Sequence, residues 1–354
     1  MRKEKNISAG SFISQKESVM LQGFAVSLMV WHHLFGFPER VSVPYVLVFD
    51  GLFQIETLLS YFGRICIAVF AFCSGYGMEK KAILAENTGL RGLLENYKSA
   101  VRHLVKFFLR FWLVFIVFVP FGLLTNRYPI RFETIVKSFL GQSYSYNAEW
   151  WYIGHYIKFM LLFPFVSVLF RWAEEKGKML PHMGMLAAVA LMVLAPKNMA
   201  WTGFFGVLIY FIEGMYFARS VWFEKLSLLI CKNWQRLLVG LALIGAVFVA
   251  RTLGIADWMN ISFFVFGFVL ILKNPIMDKC FGKILLTIGK YSTYIWLTHT
   301  FFAYYYFQPF TYAPKYSWLI AVWCILLCMF SGAVLEKTRL RLSAVVSKNR
   351  PNAK

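Results

Sequence analysis

Two adjacent histidines, His32 and His33, fall near the end of the apolar stretch LQGFAVSLMVWHHLFGF, and Gln22 precedes His33 by eleven residues. On a helix turning about 100° per residue, Gln22 and His33 lie only about 20° apart and share one stripe. His32 projects about 100° to the side, toward a neighbouring helix or the interface. The pair therefore neither grips one metal ion nor acts as twin bases, and no metal is expected. Other ionisable groups stand in apolar surroundings: Arg64, Arg110, Glu149, His155, Lys158, Glu213 and His299. A charged side chain at a bilayer centre costs about 2.5–3.5 kcal/mol on insertion, so each needs a partner or a task.

Depth can be counted at about 1.5 Å per residue. His33, Arg64, Glu149 and His155, from three separate spans, then fall at similar depth in the outer half of a membrane, and His299 falls near its middle. Coincident depth points to a shared polar site; hydrogen-bonded structural histidines are the plainer alternative. Lys158 and Glu213 lie deeper and are expected to form an ion pair, while Arg110 snorkels toward the inner surface.

Such groups need helices to carry them. The 354 residues are 59% apolar and 15% charged, whereas a soluble domain carries about 25% charge. Apolar runs long enough to cross a bilayer recur from end to end. The expected fold class is all-α, a polytopic membrane helical bundle of about ten transmembrane helices with both termini cytoplasmic. The spans are read at 18–37, 58–77, 103–124, 149–170, 179–195, 201–217, 234–252, 257–272, 285–307 and 316–335. A cytoplasmic N-terminal segment (1–17) and a basic cytoplasmic tail (336–354) flank the transmembrane domain (18–335). The stretch 41–56, broken by Pro44, Asp50 and Glu56, reads as an interfacial or re-entrant loop.

The net charge of +20 is a topology signal rather than a nucleic-acid signature. Segments expected inside hold 27 of the 37 Lys and Arg, and those outside hold seven, Arg40, Arg127, Arg131, Lys137, Lys197, Arg251 and Lys315. This asymmetry puts both termini in the cytoplasm. No nucleic acid is expected as a partner; a lipid bilayer is. Cys66, Cys73, Cys324 and Cys328 sit in spans and act as small apolar groups. The polar start of about seventeen residues is not a cleavable leader. Inside, EKKAILAENTGLRGLLENYKSAVRHLVK has helical spacing with basic residues on one side; it suits an anionic leaflet or a phosphorylated cofactor. Outside, Trp150, Trp151 and Tyr152 read either as an interfacial belt or as a platform for sugar rings.

Four blocks, in order, resemble acyltransferase family 3, integral membrane enzymes that move acyl groups onto extracytoplasmic hydroxyls. LQGFAVSLMVWHH matches the family's Arg, ten residues, His register, with Gln22 in place of the arginine and His33 on the histidine. GRICIAVFAFCSGYG resembles the apolar run ending in Ser-Gly, at Ser74 and Gly75. AEWWYIGHYIKFMLLFP matches a tryptophan-bearing segment closing on proline, here Trp151 and Pro164; IGKYSTYIWLTHTFF matches the late Gly-Lys-x-Ser…His helix, here Gly289, Lys290, Ser292 and His299.

The resemblance implies O-acyl transfer, with acetyl as the default group, from cytoplasmic acetyl-CoA or another acyl-CoA to a carbohydrate or cell-surface polymer in a multi-pass bacterial plasma membrane. His33 would be the general base, or carry a transient acyl group. Arg64 and His299 would stabilise the oxyanion or orient the acceptor. Gln22, Glu149, Trp151, Tyr152 and His155 would line the substrate site. Lys80, Lys81, Arg102, Lys106 and Arg110 lie where CoA phosphates would be, and the pantetheine arm needs a route through the bundle. The alternative is a transporter or flippase of a polar or lipid-linked solute with histidine proton relays. Internal repeats and matched broken helices, which such folds often carry, are not seen. A non-enzymatic anchor would leave the polar groups without a task.

Overall fold

The computed structural model describes residues 11–51, 54–85, 89–177, 179–185, 203–254 and 257–348. Among these the chain is helical, with a single isolated bridge, Val46 to Tyr316, in place of any sheet. The main helices are α1 (Gln15–Phe35), α2 (Ile55–Phe62), α3 (Ile65–Leu84), α4 (Gly89–Leu124), α5 (Phe132–Phe139) and α6 (Trp151–Lys176). They continue as α7 (Phe204–Arg219), α8 (Asn233–Thr252), α9 (Asp257–Leu272), α10 (Lys283–Lys290), α11 (Ser292–Thr300) and α12 (Ser317–Lys348).

Six helices among the described residues are long and apolar enough to cross a membrane, or eight if each of two bent pairs counts as one span. The expectation was about ten. The expected span 179–195 lies largely outside the described residues. The one expected at 285–307 is a succession of α10, α11 and a π-helical turn, Phe301–Tyr305. A further bend of 80° separates Asn260–Leu272 from Pro275–Lys290. Apolar length alone does not register such breaks. The basic loop before the third span is no separate surface helix, because α4 runs unbroken for 36 residues. The tail likewise continues α12 as far as Lys348.

The chain divides into two compact units. One comprises Met1–Ala25, Arg64–Val101 and His155–Gly289. Its centre is the crossing of α3 and α7, made close by glycine. A Cβ on Gly75 would collide with the Phe211 carbonyl oxygen, and one on Gly214 with that of Phe72. Small residues at a crossing let backbones approach where lipid supplies no hydrophobic drive. Near this crossing Glu79, fully buried, takes hydrogen bonds from Arg219 Nε at 2.6 Å and Ser167 Oγ at 3.1 Å. Arg219 Nη1 also reaches Glu174 at 2.7 Å. Each buried charge thereby has a partner, which is the condition for tolerating it. Lys158 and Glu213 do not form the expected pair: Glu213 accepts from Ser262 Oγ at 2.9 Å, and Lys158 Nζ stands 5.1 Å from the Phe204 ring centroid.

The second unit comprises Val26–Gly63, Arg102–Gly154 and Lys290–Lys354. It holds the end of α1, α2, most of α4, α5, α11 and α12. Its interior is aromatic: Trp150 packs against Phe111, Phe115 and Phe301. Offset and edge-on ring contacts of this kind contribute about 0.5–1.5 kcal/mol beyond their area. The 41–56 loop is pinned to the start of α12. Val46 N–H donates to Lys315 O at 2.8 Å, Ser317 N–H donates to Val46 O at 3.0 Å, and the Ser317 hydroxyl donates to the buried Glu56 carboxylate.

Candidate functional site

The second unit brings together the C-terminal end of α1, the turn before α6 and the end of α11. His33 is on α1's last turn, and its Nε2 stands 3.3 Å from Glu149 Oε2, with the side chains 9% and 14% exposed. With Glu149 ionised, its carboxylate only accepts, and Nε2 then carries the proton while Nδ1 keeps a lone pair. Nδ1 is buried and meets no hydrogen-bond partner among the described residues. His299 packs against this ring, with centroids 4.9 Å apart and the planes tilted by 51°. Its Nδ1 faces the Trp296 carbonyl oxygen at 2.8 Å. A carbonyl also only accepts, so the proton is on Nδ1 and the lone pair on Nε2. That Nε2 is also buried and unpartnered. Two adjacent imidazoles thus each have one buried nitrogen without a partner among the described residues.

The supports are local. Asn147 Oδ1 accepts from Glu149 N–H at 3.0 Å, and Trp296 Nε1 donates to Glu149 O at 3.2 Å, which ties the carboxylate's backbone to α11. Trp150 Nε1 donates to Leu297 O at 3.1 Å. Phe37 stacks on His33 at 5.8 Å, and the Arg40 guanidinium lies 4.2 Å from the Phe37 centroid. Arg40 Nη1 is 3.9 Å from Glu149 Oε1, so one carboxylate faces both His33 and Arg40.

After His299 the helix changes to π form over Phe301–Tyr305, a distortion common at functional sites. Within it and just before it, Thr300 Oγ1 and the Tyr304 hydroxyl are buried without partners. Leaving a buried polar group unsatisfied costs about 1–3 kcal/mol. His33 Nδ1, His299 Nε2, Thr300 Oγ1 and Tyr304 OH are thus four buried polar atoms of this unit without a hydrogen-bond partner among the described residues.

Sequence reasoning singled out His33, Glu149 and His299, and these three meet. Tyr152 is buried and packs edge-on against Trp296 at 5.6 Å, in the same unit; Trp151 is half-buried beside it. The buried partner of the site is Trp150, which the sequence offered only as belt or platform. His32 sends Nδ1 to Ser60 O at 2.7 Å and so faces the neighbouring α2. Gln22, Arg64 and His155 belong to the other unit. There Gln22 donates to Ser18 Oγ at 3.5 Å, Arg64 is exposed at the break before α3, and His155 packs on Phe159 and Phe204.

The five basic residues expected at CoA phosphates do not fall in one unit. Lys80 and Lys81 are in the first, Lys80 5.6 Å from the Tyr76 ring centroid. Arg102, Lys106 and Arg110 are in the second, where Arg102 and Lys106 are exposed. Arg110 Nε lies 3.7 Å from Glu336, which also binds Arg339 at 2.7 Å and Tyr294 OH at 2.7 Å. Among the described residues no group of histidine, cysteine and carboxylate side chains could hold a metal ion. Arg40 and Tyr304 went unrecognised in the sequence; the one signal was the aromatic-to-arginine step Phe37 to Arg40 directly after the histidine helix.

No curated protein and no solved structure shows a significant match to the chain. A family model, the acyltransferase domain, does, and it runs from residue 20 to residue 335. It covers the His33 helix, Glu149 and the His299 helix alike. The chain belongs to acyltransferase family 3 and is a membrane-embedded acyltransferase.

Proposed function

We propose that the protein transfers an acyl group, acetyl by default, from acyl-CoA to a hydroxyl of an extracytoplasmic carbohydrate or cell-surface polymer, with His33 as general base. The observation that supports this best is a buried imidazole with one nitrogen beside a carboxylate and the other without a hydrogen-bond partner among the described residues. An alcohol is a poor nucleophile at neutral pH. His33 Nδ1 takes its proton as the oxygen attacks the thioester carbonyl, and Glu149 stabilises the imidazolium so formed. Collapse of the tetrahedral intermediate breaks the C–S bond, and the same proton passes from Nδ1 to the leaving thiolate. Ester and free CoA thiol result. General base catalysis of this kind contributes typically 10²–10⁴-fold.

His299 is assigned the orienting role. With its lone pair on Nε2 it accepts from a second donor on the acceptor, and it has no proton there to offer an oxyanion. Trp150 and Trp296 hold the carboxylate segment and α11 in register. The five basic residues Lys80, Lys81, Arg102, Lys106 and Arg110 remain the candidates for the donor's phosphates.

The test is a transfer assay on purified protein in lipid vesicles with acyl-labelled acetyl-CoA and a cell-envelope extract. The expected result is a hydroxylamine-labile label in the extract, formed one for one with free thiol. Movement of a solute without ester formation would replace this reading by the transporter.

A further inference from the structure

Arg40 carries an unused recognition surface beside the proposed base. Its backbone is fixed: Gln308, buried, donates from Nε2 to Arg40 O at 2.9 Å and accepts at Oε1 from Ser42 N–H at 2.9 Å and Ser42 Oγ at 2.6 Å. Its guanidinium is held over aromatic rings, 4.2 Å from the centroid of Phe37 and 5.7 Å from that of Tyr304. Two carboxylates flank it, Glu149 and Glu39, each at 3.9 Å. That distance is too long for a hydrogen bond. Among the described residues the side chain therefore makes none, although it is built to grip a planar anion with two parallel N–H bonds. It is 44% exposed, so a ligand can reach it. The next tyrosine, Tyr305, carries a second guanidinium, Arg127, 5.3 Å from its centroid. Tyr305 OH also accepts from Ala148 N–H at 3.2 Å, one residue before Glu149.

We propose that Arg40 selects the acceptor, and that the acceptor is an anionic carbohydrate whose carboxylate or phosphate docks on this guanidinium while a nearby hydroxyl is presented to His33. The proposal rests on the acyl-transfer reading above. Three considerations favour a standing anion over the transient oxyanion. An oxyanion donor acts from a dry, closed position about 2.7–3.1 Å from the reacting atom, whereas Arg40 is half-exposed. Its contact with Glu149, on the same carboxylate as His33, sets a bound anion one residue away from the proton acceptor. A second guanidinium, Arg127, lies over the ring of the adjacent Tyr305, which suits an extended polyanion better than one point charge.

Binding can be read without turnover. Methyl β-D-glucuronide, methyl β-D-glucoside 6-phosphate and neutral methyl β-D-glucoside are titrated calorimetrically into the protein in nanodiscs, as wild type, R40A and R40K. At least one anionic sugar is expected to bind ten- to hundredfold more tightly than the neutral one, the range for a charge-assisted pair. Whichever wins identifies carboxylate or phosphate as the recognised group. R40A is expected to erase the preference and R40K to keep part of it. Equal binding of all three sugars, binding of none, or a preference surviving in R40A overturns the proposal. Failure of the acyl-transfer reading shows elsewhere, as absence of ester formation by a wild-type protein that still prefers the anionic sugar.

Discussion

Glu149→Gln isolates the contribution of one carboxylate. In the wild type, Glu149 Oε2 is 3.3 Å from His33 Nε2, with both side chains largely buried. Two unit charges at about that separation attract by roughly 4–5 kcal/mol at an effective dielectric of about 20. The imidazolium exists only once the acceptor proton has been taken, so this attraction develops along the reaction and lowers the barrier. At about 1.4 kcal/mol per tenfold, its loss slows transfer by about 10³. The amide does further harm through the tautomer. Its N–H₂ donates to His33 Nε2, moving the ring proton to Nδ1 and removing the lone pair that faces the acceptor. The backbone contacts of residue 149 to Asn147 and Trp296 do not involve the carboxylate, so the fold is kept. The assay is single-turnover transfer of labelled acetyl from acetyl-CoA, with a melting curve as control. A variant that melts as wild type and transfers within threefold of its rate refutes the role given to Glu149.

The other predictions concern the second histidine and the first unit. His299→Ala, with its Nε2 lost, is expected to lower kcat/KM about tenfold, mainly through KM, in a steady-state acceptor titration. Arg219→Ala leaves the fully buried Glu79 without its cation and is expected to cost about 3–5 kcal/mol; thermal unfolding in detergent reads it, and E79L combined with R219L should recover most of the loss. Gly75→Leu drives a side chain into the Phe211 backbone and is expected to cost about 1–3 kcal/mol or to prevent folding, seen as a lost monodisperse peak in size exclusion.

How far the sequence reached can be followed through single residues. Counting along apolar runs gives depth, and depth was enough to associate His33 with Glu149 across separate spans. It carries no information on which helices are neighbours, so Arg64 and His155 looked equally eligible and belong to the other unit. A pair such as Trp150 and Trp151 is ambiguous in the same way. Adjacent residues differ by about 100° around a helix, and only packing decides that Trp150 points inward. Arg40 was visible as a loop charge in a topology count. Its significance arises from Gln308, more than 250 residues later, fixing its backbone, and no local pattern carries that. The break at Lys290 to Ser292 and the π turn after Thr300 are likewise settled by tertiary packing rather than by apolar length.

The most direct measurement is single-turnover acyl transfer by His33→Ala, in protein shown by melting and size exclusion to be folded. With this ring gone, no other imidazole of the site is paired with a carboxylate among the described residues, and the expected loss is at least about a hundredfold. Transfer at the wild-type rate by this variant would contradict the assignment of the base.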